Sequence, residues 1–265
     1  MDSFMLLEKI PIHTYDSLVS YLTNGTRVTY FFNTTTCQPI SSTSTIDLPI
    51  FGGEIKFFLT SKSPEGAAVQ LIFNHEVVEY GKKVLNVDLY SMYIIDDTLL
   101  MMYGKPGFFA NNTDNIKGVI CKWPIGSCNF WVNEPATPKH LSSYDDIQKI
   151  VVGGDLVRFV ITTRGCKCPP GEDCGDAYVG GDMKDFKITK EGTISFSKSM
   201  ILFFPIPTSP MYYREVFVGN VHPNNTLTFL LSYVDATTWE IENGVTMACP
   251  IDTTPGHADF YLSSE

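Results

Sequence analysis

Hydrophobic and polar positions alternate along this chain in short runs, and Gly, Pro, Asn or Asp bounds most of them. Alternation with a period of two is typical of half-buried β-strands. Such runs predict strands at 27–32, 69–73, 84–93 and 98–103, and again at 156–162, 193–196, 214–221 and 226–234. With the Gly-rich turns between them, they indicate about six strands on each side of a linker. The pattern therefore predicts a mainly β protein.

Two short segments have the spacing of an amphipathic helix instead. Thr14 and Ser143 stand where an N-cap belongs, just before apolar positions three and four residues apart. Asn24-Gly25 and Gly153-Gly154 stand where these helices should end. Each helix comes directly before a predicted strand. The fold class is therefore α+β but mainly β: an antiparallel sheet or small barrel with a short N-terminal helix, present twice.

The same motifs recur through the two parts of the chain. Thr14-Tyr15-Asp16 recurs as Ser143-Tyr144-Asp145, 129 positions later, and Gly52-Gly53 recurs as Gly180-Gly181, 128 positions later. A register kept to within one residue over such a distance predicts two tandem copies of one domain. The predicted division is a first copy at 10–122, a linker at 123–138, a second copy at 139–250 and a tail at 251–265.

Four of the seven cysteines follow this repeat. Cys37 and Cys121 lie 84 positions apart, and Cys166 and Cys249 lie 83 apart. A bridge that ties the first strand of each copy to its last would explain both spacings. The sequence therefore predicts the disulfides Cys37–Cys121 and Cys166–Cys249.

The other three cysteines have no repeat partner. Cys168 and Cys174 flank a Pro- and Gly-containing loop, which predicts a disulfide between them. Zinc is the alternative, but a fourth ligand is missing nearby, so no metal site is predicted. Cys128 is left as a thiol, a partner for Cys168 or Cys174, or a link between two chains.

Composition limits the functions to consider. The chain has 265 residues, is 44% hydrophobic and has a formal net charge of −10. Its acidity is dispersed and its cations are not clustered, which disfavours nucleic acid as a partner. No stretch has the roughly 18 apolar residues of a membrane span.

The cysteines and glycosylation sequons indicate secretion. Cysteine-rich bridges are typical of oxidising compartments, and we expect a signal peptide to have been removed. The predicted glycosylation sites, each in an Asn-x-Ser/Thr sequon, are Asn24, Asn33, Asn111 and Asn224.

The second copy resembles the VirK-like domain of secreted proteins from bacteria and invertebrates. The matching segments are 143–147 (SYDDI), 154–166 (GDLVRFVITTRGC), 179–186 (VGGDMKDF) and 233–241 (YVDATTWEI), running on to Cys249. The first copy is similar at 14–18, 25–37 and 52–53, but has 107–112 (GFFANN) in place of the Thr-Thr-Trp element. The resemblance implies a fold and assigns no chemistry.

As a whole, the chain is similar to the luciferases of syllid fireworms. That resemblance implies an oxidoreductase that oxidises a small aromatic luciferin with O2 as co-substrate and emits light. No other cofactor is evident. His75 lies just after one predicted strand and His222 lies at the end of another, and either could act as the base. The aromatic excess predicts an apolar ligand pocket, whose candidate residues are Phe58, Phe186, Phe204, Tyr213 and Trp239.

Two other functions remain open at this point. No hydrolase, zinc-protease, phosphate-loop or dinucleotide motif occurs in the sequence, so the chain could be a non-catalytic secreted carrier of a small hydrophobic ligand. It could equally be an extracellular adhesion or matrix protein. We expect a monomer or a Cys128-linked dimer.

Overall fold

The computed structural model describes most of the chain. The described residues are 9–40, 50–62, 69–80, 85–95, 98–104, 117–123, 128–133, 138–172, 175–204, 211–235, 240–252 and 257–263. Residues 9–133 are called the first half below, and residues 138–263 the second half. The described part of the chain is mostly strand with two α-helices, as the alternating pattern predicts.

Both helices begin and end where their capping residues predict. Helix α1 (Tyr15–Thr23) follows Thr14, whose hydroxyl accepts a hydrogen bond from the Ser17 N–H at 3.2 Å. Helix α2 (Tyr144–Gly153) follows Ser143, which caps it in the same way. Gly154 ends α2 with a φ of +89°, a conformation that a residue with a Cβ rarely adopts. Neither helix is long or apolar enough to cross a bilayer.

The first half forms strands that pair antiparallel. They are β1 (Lys9–Ile12), β2 (Thr29–Asn33), β3 (Gln38–Pro39), β4 (Ile50–Glu54), β5 (Phe57–Lys62), β6 (Val69–Tyr80), β7 (Leu85–Ile95), β8 (Thr98–Gly104), β9 (Lys117–Lys122) and β10 (Cys128–Asn133). One sheet has the order β1-β10-β2-β4, and strands β5 to β9 follow one another as a meander with β3 beside β9.

The second half has nine strands among its described residues. They are β11 (Lys139–Leu141), β12 (Val157–Thr162), β13 (Ala177–Met183), β14 (Phe186–Ile188), β15 (Ile194–Phe204), β16 (Met211–His222), β17 (Thr226–Asp235), β18 (Ile241–Pro250) and β19 (Ala258–Leu262). They pair in the order β11-β19-β12-β13 and in a second meander, β14 to β18.

A strand pair between β13 and β5 joins the two halves into one continuous ten-stranded sheet. Because side chains alternate across a strand, the β5 side chains divide between two cores. Phe58 lies in the core of the first half, with α1 and the β1-β10-β2-β4 sheet. Phe57 and Leu59 lie in the core of the second half, with α2 and the β14–β18 sheet. The molecule is therefore layered, with the ten-stranded sheet in the middle.

The sheets of the described residues stay open, so of the two predicted forms, sheet and barrel, the sheet is the one observed. Strand β10 lies within 123–138, predicted as linker, and β19 lies within 251–265, predicted as tail. In β10 the burial alternates, with Cys128, Phe130 and Val132 buried. This apolar alternation is the strand signal, and the Pro-containing residues after it led to the linker prediction.

Two of the predicted disulfides are present, Cys37–Cys121 and Cys166–Cys249. Each ties the segment after a short 3-10 turn, at 34–36 or 163–165, to the last strand of a meander. Cys168 is also disulfide-bonded, while its predicted partner Cys174 lies outside the described residues.

Candidate functional site

A cleft of about 560 Å³ lies where the two halves meet at one end of the layered sheets. It is bounded by the edge of β4, the start of β5, the middle of β6, and the facing strands β15 and β16. Its lining residues are Tyr30, Gly52, Gly53, Glu54, Lys56, Phe57, Asn74, Lys198, Ser199, Met200, Ile201 and Arg214. This volume is in the range of pockets that hold small organic molecules.

Hydrogen bonds across the cleft fix β15 to the first half. The Asn74 side-chain amide donates to the carbonyl oxygen of Ile201 at 2.8 Å. The Ser91 hydroxyl donates to the same carbonyl at 3.1 Å. Both donors lie on first-half strands and the acceptor on the second half. The relative position of the cleft walls is therefore held by polar contacts as well as by packing.

Glu54 contributes the carboxylate of the lining and is already engaged. The Arg27 guanidinium donates to both of its oxygens, through Nε at 2.8 Å and through Nη2. Arg158 Nη1 lies 3.7 Å from Glu54 Oε1. Burial by itself would raise the pKa of Glu54, but the hydrogen bond from Arg27 and the two positive charges lower it below its usual range. Glu54 is therefore ionised and neutralised by its partners.

The remaining charged residues of the lining are cations. Lys56 is exposed, Lys198 is half-buried, and Arg214 Nη1 donates to the Ser199 hydroxyl at 3.3 Å. Burial lowers the pKa of Lys198, although the charges of Asp182 and Asp185 oppose that shift. Since Glu54 is paired, the cleft presents an excess of positive charge. This local field contrasts with the net charge of −10 of the whole chain.

Behind the cleft wall, a fully buried arginine joins the halves. Arg158 is 1% exposed and donates from Nη2 to the carbonyl oxygen of Ile55 at 3.1 Å. Its Nε lies 3.5 Å from Asp182 Oδ1. Burial lowers the pKa of Arg158 and raises the pKa of Asp182, while each charge opposes the shift of the other. Arg158 thereby contacts Glu54 without itself lining the cleft.

A second buried ionisable residue lies in the core next to the cleft. Glu215 on β16 is fully buried, and neither carboxyl oxygen has a hydrogen-bond partner within the described part of the chain. Its register partners are Met200, which lines the cleft, and Tyr233. Burial raises the pKa of Glu215 to about 8. Near neutral pH this side chain is therefore mostly the uncharged acid.

The predicted base and pocket residues whose side chains are described lie away from this cleft. His222 is bonded to two threonines, with Nε2 2.8 Å from the Thr228 hydroxyl and Nδ1 3.4 Å from that of Thr193. Phe58 is fully buried in the first-half core, and Phe186 is 39% exposed on β14. None of the three is among the lining residues.

For the other predicted site residues, either the whole residue or its side chain lies outside what the structure describes. Trp239, Asn111 and Cys174 lie outside the described residues. His75, Phe204 and Tyr213 lie in β6, β15 and β16, but their side chains are outside the described part. Their roles stay predictions.

Lys198 and Glu215 are not among the predicted site residues, although the hydrophobic pattern of their strands marks them. On β15 and β16 the inward positions are apolar, as with Phe196, Met200 and Phe217, all buried. Lys198 and Glu215 are charged residues at inward positions of these same strands. A charged residue in the apolar phase of a strand is costly to bury, and such positions often mark a functional site.

Three cysteine sulfurs come together in the first half. The Sγ atoms of Cys37, Cys121 and Cys128 all lie within 4.8 Å of one another. Cys128 is fully buried and takes no part in a disulfide. A thiol buried in this way is not accessible to another chain, so nothing here supports the predicted Cys128-linked dimer.

Comparison with known proteins now adds to this geometry. Residues 140–239 match the family model described as VirK protein. The chain is therefore similar to the VirK family over this part of its second half. The matched range begins in β11, runs through α2 and β12 to β17, and includes the cleft residues Lys198 and Arg214. It thus covers the second-half wall of the cleft.

Among solved structures, a VirK family protein from Legionella pneumophila is similar to this chain. The similarity covers 46% of this chain and 98% of the Legionella chain, at 13% sequence identity and a TM-score of 0.40. A search of the curated proteins gives no match. The similarity of residues 140–239 to the VirK family is the most specific relation found for this chain.

Proposed function

We propose that the cleft is a binding site for a small anionic aromatic molecule. The observation that carries the proposal is the excess of cations, Lys56, Lys198 and Arg214, around a carboxylate that is already paired. Phe57, which is 9% exposed, supplies aromatic surface in the same lining, whereas Tyr30 is only 2% exposed. A positive cleft on an acidic protein raises the local concentration of anions and favours their binding. This lining is more polar than the apolar pocket that the sequence predicts.

The test is a titration with an aromatic sulfonate, 1-anilinonaphthalene-8-sulfonate, and with an uncharged naphthylamine of similar size. The protein should prefer the sulfonate. Lys198→Met keeps the aliphatic stem but removes the charge, and should weaken sulfonate binding by roughly tenfold, the factor that about 1.4 kcal/mol gives. Lys149→Met, on the exposed side of α2, is the matched control. Equal affinities for the two variants, or for the two probes, would contradict the proposal.

We further propose that the bound molecule is a luciferin, which the chain oxidises with O2 as electron acceptor and with emission of light. The similarity to syllid fireworm luciferases motivates this second step. One feature of the cleft favours it. Burial lowers the pKa of Lys198, so its ammonium gives up a proton more easily than that of a free lysine, and the resulting amine is suited to accept the proton of a bound acid. O2 could then react with the deprotonated ligand.

This second step has its own test. The protein is mixed with an extract of the tissue that makes it, under O2, and light is recorded for the protein itself and for Lys198→Met and Lys149→Met. Light that Lys198→Met loses and Lys149→Met keeps supports the oxygenase. Darkness from a folded protein that still binds the sulfonate contradicts it. Recovery of a bound compound unchanged would then indicate a carrier.

We also propose that the two halves are tandem copies of one VirK-like domain. Support comes from the order in which the strands pair. Equivalent strands are neighbours in the same order in both halves, β1-β10-β2-β4 in the first and β11-β19-β12-β13 in the second. The meanders β5–β9 and β14–β18 correspond as well. Both helices are capped by a hydroxyl, and both halves have a disulfide at the same place.

Secretion and glycosylation are proposed on related grounds. The disulfides are typical of oxidising compartments. Asn24 and Asn224 are exposed, and Asn33 is half-buried, with its Oδ1 accepting from the Thr35 N–H at 3.1 Å. Material from a secretory host should lose mass on treatment with an N-glycosidase, and Asn224→Gln should remove part of that loss. An unchanged mass would contradict glycosylation.

A further inference from the structure

The contact between the two halves joins unlike surfaces. The β5 edge of the first meander adds to the β13 edge of the second four-stranded sheet, with Phe58 opposite Gly180. The ring of Phe58 covers this glycine so closely that a Cβ on Gly180 would lie 2.4 Å from Phe58 Cε1. The contact is therefore heterologous, since the surface that each half contributes differs from that of the other.

If the halves are tandem copies, as proposed above, each surface of this contact has a counterpart in the other half. Strand β4 of the first half corresponds to β13, and β14 of the second half corresponds to β5. Both counterparts stand at the end of a sheet, β4 after β2 and β14 beside β15. Within the described residues no further strand pairs with either of them. The described residues thus leave open, at the end of one sheet in each half, the counterparts of the two edges that β5 and β13 join.

Exposed apolar side chains mark both edges. Phe186, at the place of Phe58, is 39% exposed, and Ile50 on β4 is 56% exposed. Gly52, at the place of Gly180, is also exposed. A flat edge with a glycine and an exposed isoleucine is able to accept another strand. On the other edge, Phe186 is a phenylalanine at the position equivalent to Phe58, and the ring of Phe58 is the one that covers Gly180.

The outer face of the first four-stranded sheet is also more exposed than its counterpart in the second half. In the second half the corresponding face is covered, with Val160 1% and Tyr261 7% exposed. The first half supplies part of the cover, because Gly25 packs against the Tyr261 ring. The residue that corresponds to Val160 is Phe31, which is 38% exposed and lines a shallow pocket with Trp131.

We propose that this chain associates head to tail with further copies of itself, with β14 of one chain adding to β4 of the next. Within the chain, β5 adds to β13 in the same way. Strand addition supplies main-chain hydrogen bonds, and Phe186 over Gly52 supplies the apolar contact. Asp185 and Lys187 stand where the in-chain contact has Phe57 and Leu59, so the contact between chains is weaker and reversible. A heterologous contact of this kind continues from chain to chain.

Sedimentation velocity on the full chain, without ligand, from micromolar to near-millimolar concentration, tests the proposal. The average mass should rise beyond a dimer. Ile50→Lys removes the β4 surface and Phe186→Lys removes the β14 surface, so each variant alone should stay monomeric. An equimolar mixture should form a dimer that grows no further, because each variant keeps the surface that the other lacks. Ile241→Lys, at a 63% exposed position outside both surfaces, should associate like the unchanged chain.

Three results would overturn the proposal: a monomer at every concentration, dimers of either variant alone, or a mixture that stays monomeric while circular dichroism shows both variants folded. Dimers of each variant alone would indicate a symmetric contact elsewhere.

Gly52 and Gly53 also line the cleft, so association and ligand binding should compete. Ligand titrations are therefore done with Phe186→Lys, whose affinity for the sulfonate reports on the cleft whether or not chains associate.

Discussion

The guanidinium of Arg158, in the second half, donates a hydrogen bond to the carbonyl oxygen of Ile55, in the first half, at 3.1 Å. Arg158 is 1% exposed and stands between two carboxylates, Glu54 at 3.7 Å and Asp182 at 3.5 Å. A charge buried to this degree is stable only with such partners. This contact therefore links the packing of the halves to the cleft, because Glu54 is part of the lining.

Removing Arg158 should be strongly destabilising. Arg158→Met leaves Asp182 buried without its nearest cation, and loss of one partner of a buried ion pair costs about 3 kcal/mol or more. The double variant Arg158→Met with Asp182→Asn removes both charges and should recover part of that loss. The free energy of unfolding from denaturant titration measures both. Losses that simply add in the double variant would show that the two charges do not interact.

The buried acid predicts a pH dependence of stability. The pKa of Glu215 is raised to about 8 in the folded protein, above its value in the unfolded chain. The folded state therefore holds the proton more tightly, and stability is lost as pH rises towards 8. Glu215→Gln keeps the shape and does not ionise, so it should match the unchanged protein below about pH 4.5, become progressively more stable than it as pH rises, and reach its full advantage at about pH 8.

Denaturant titrations of both proteins across this pH range make the comparison. A difference in unfolding free energy that stays constant with pH would mean that Glu215 is ionised in the folded state or reaches solvent. The hydroxyl of neighbouring Tyr233 does not interfere, because burial raises its pKa as well.

The three sulfurs of the first half predict an alternative bond. In Cys121→Ser, the Cys128 thiol lies within 4.8 Å of the Cys37 sulfur in the parent geometry, so oxidation should produce Cys37–Cys128. In the second half Ala258 stands at the register of Cys128, since Ala258 pairs with Ile161 as Cys128 pairs with Phe32. Cys249→Ser is thus the matched control, in which no bond from Cys166 to β19 can form.

Peptide mapping under non-reducing conditions identifies these bonds. Unpaired Cys37 in folded Cys121→Ser would show that the Cys128 thiol cannot reach it. Loss of each native bond should also lower stability, by about 4–5 kcal/mol for loops of this length in the chain-entropy model. That loss is measured best for Cys249→Ser, where no replacement bond to β19 offsets it.

The parts of the fold that the sequence predicts are those with local or repeated signals. Thr14 and Ser143 fix the helix starts because a cap needs only its own next turn. The pairs Cys37–Cys121 and Cys166–Cys249 follow from the repeat. Strand β10 is not among the predicted strands although Cys128, Phe130 and Val132 alternate, because the prolines that follow them are typical of a linker.

The cleft could not be predicted in the same way. Its walls come from Tyr30 to Arg214, positions far apart in sequence, and only the pairing of β5 with β13 brings them together. Lys198 and Glu215 do have a local signal, a charge in the inward phase of a strand. His222 shows the opposite case, a residue type suited to catalysis that hydrogen-bonds two threonines outside the lining.

A crystal structure of the protein with the aromatic sulfonate bound tests most directly whether the cleft is the binding site. We expect the ligand in the cleft between the halves, with its sulfonate oxygens within hydrogen-bond distance of Lys198 or Arg214 and its rings against Phe57. A sulfonate bound at another surface, with this cleft empty at saturating ligand, would contradict it.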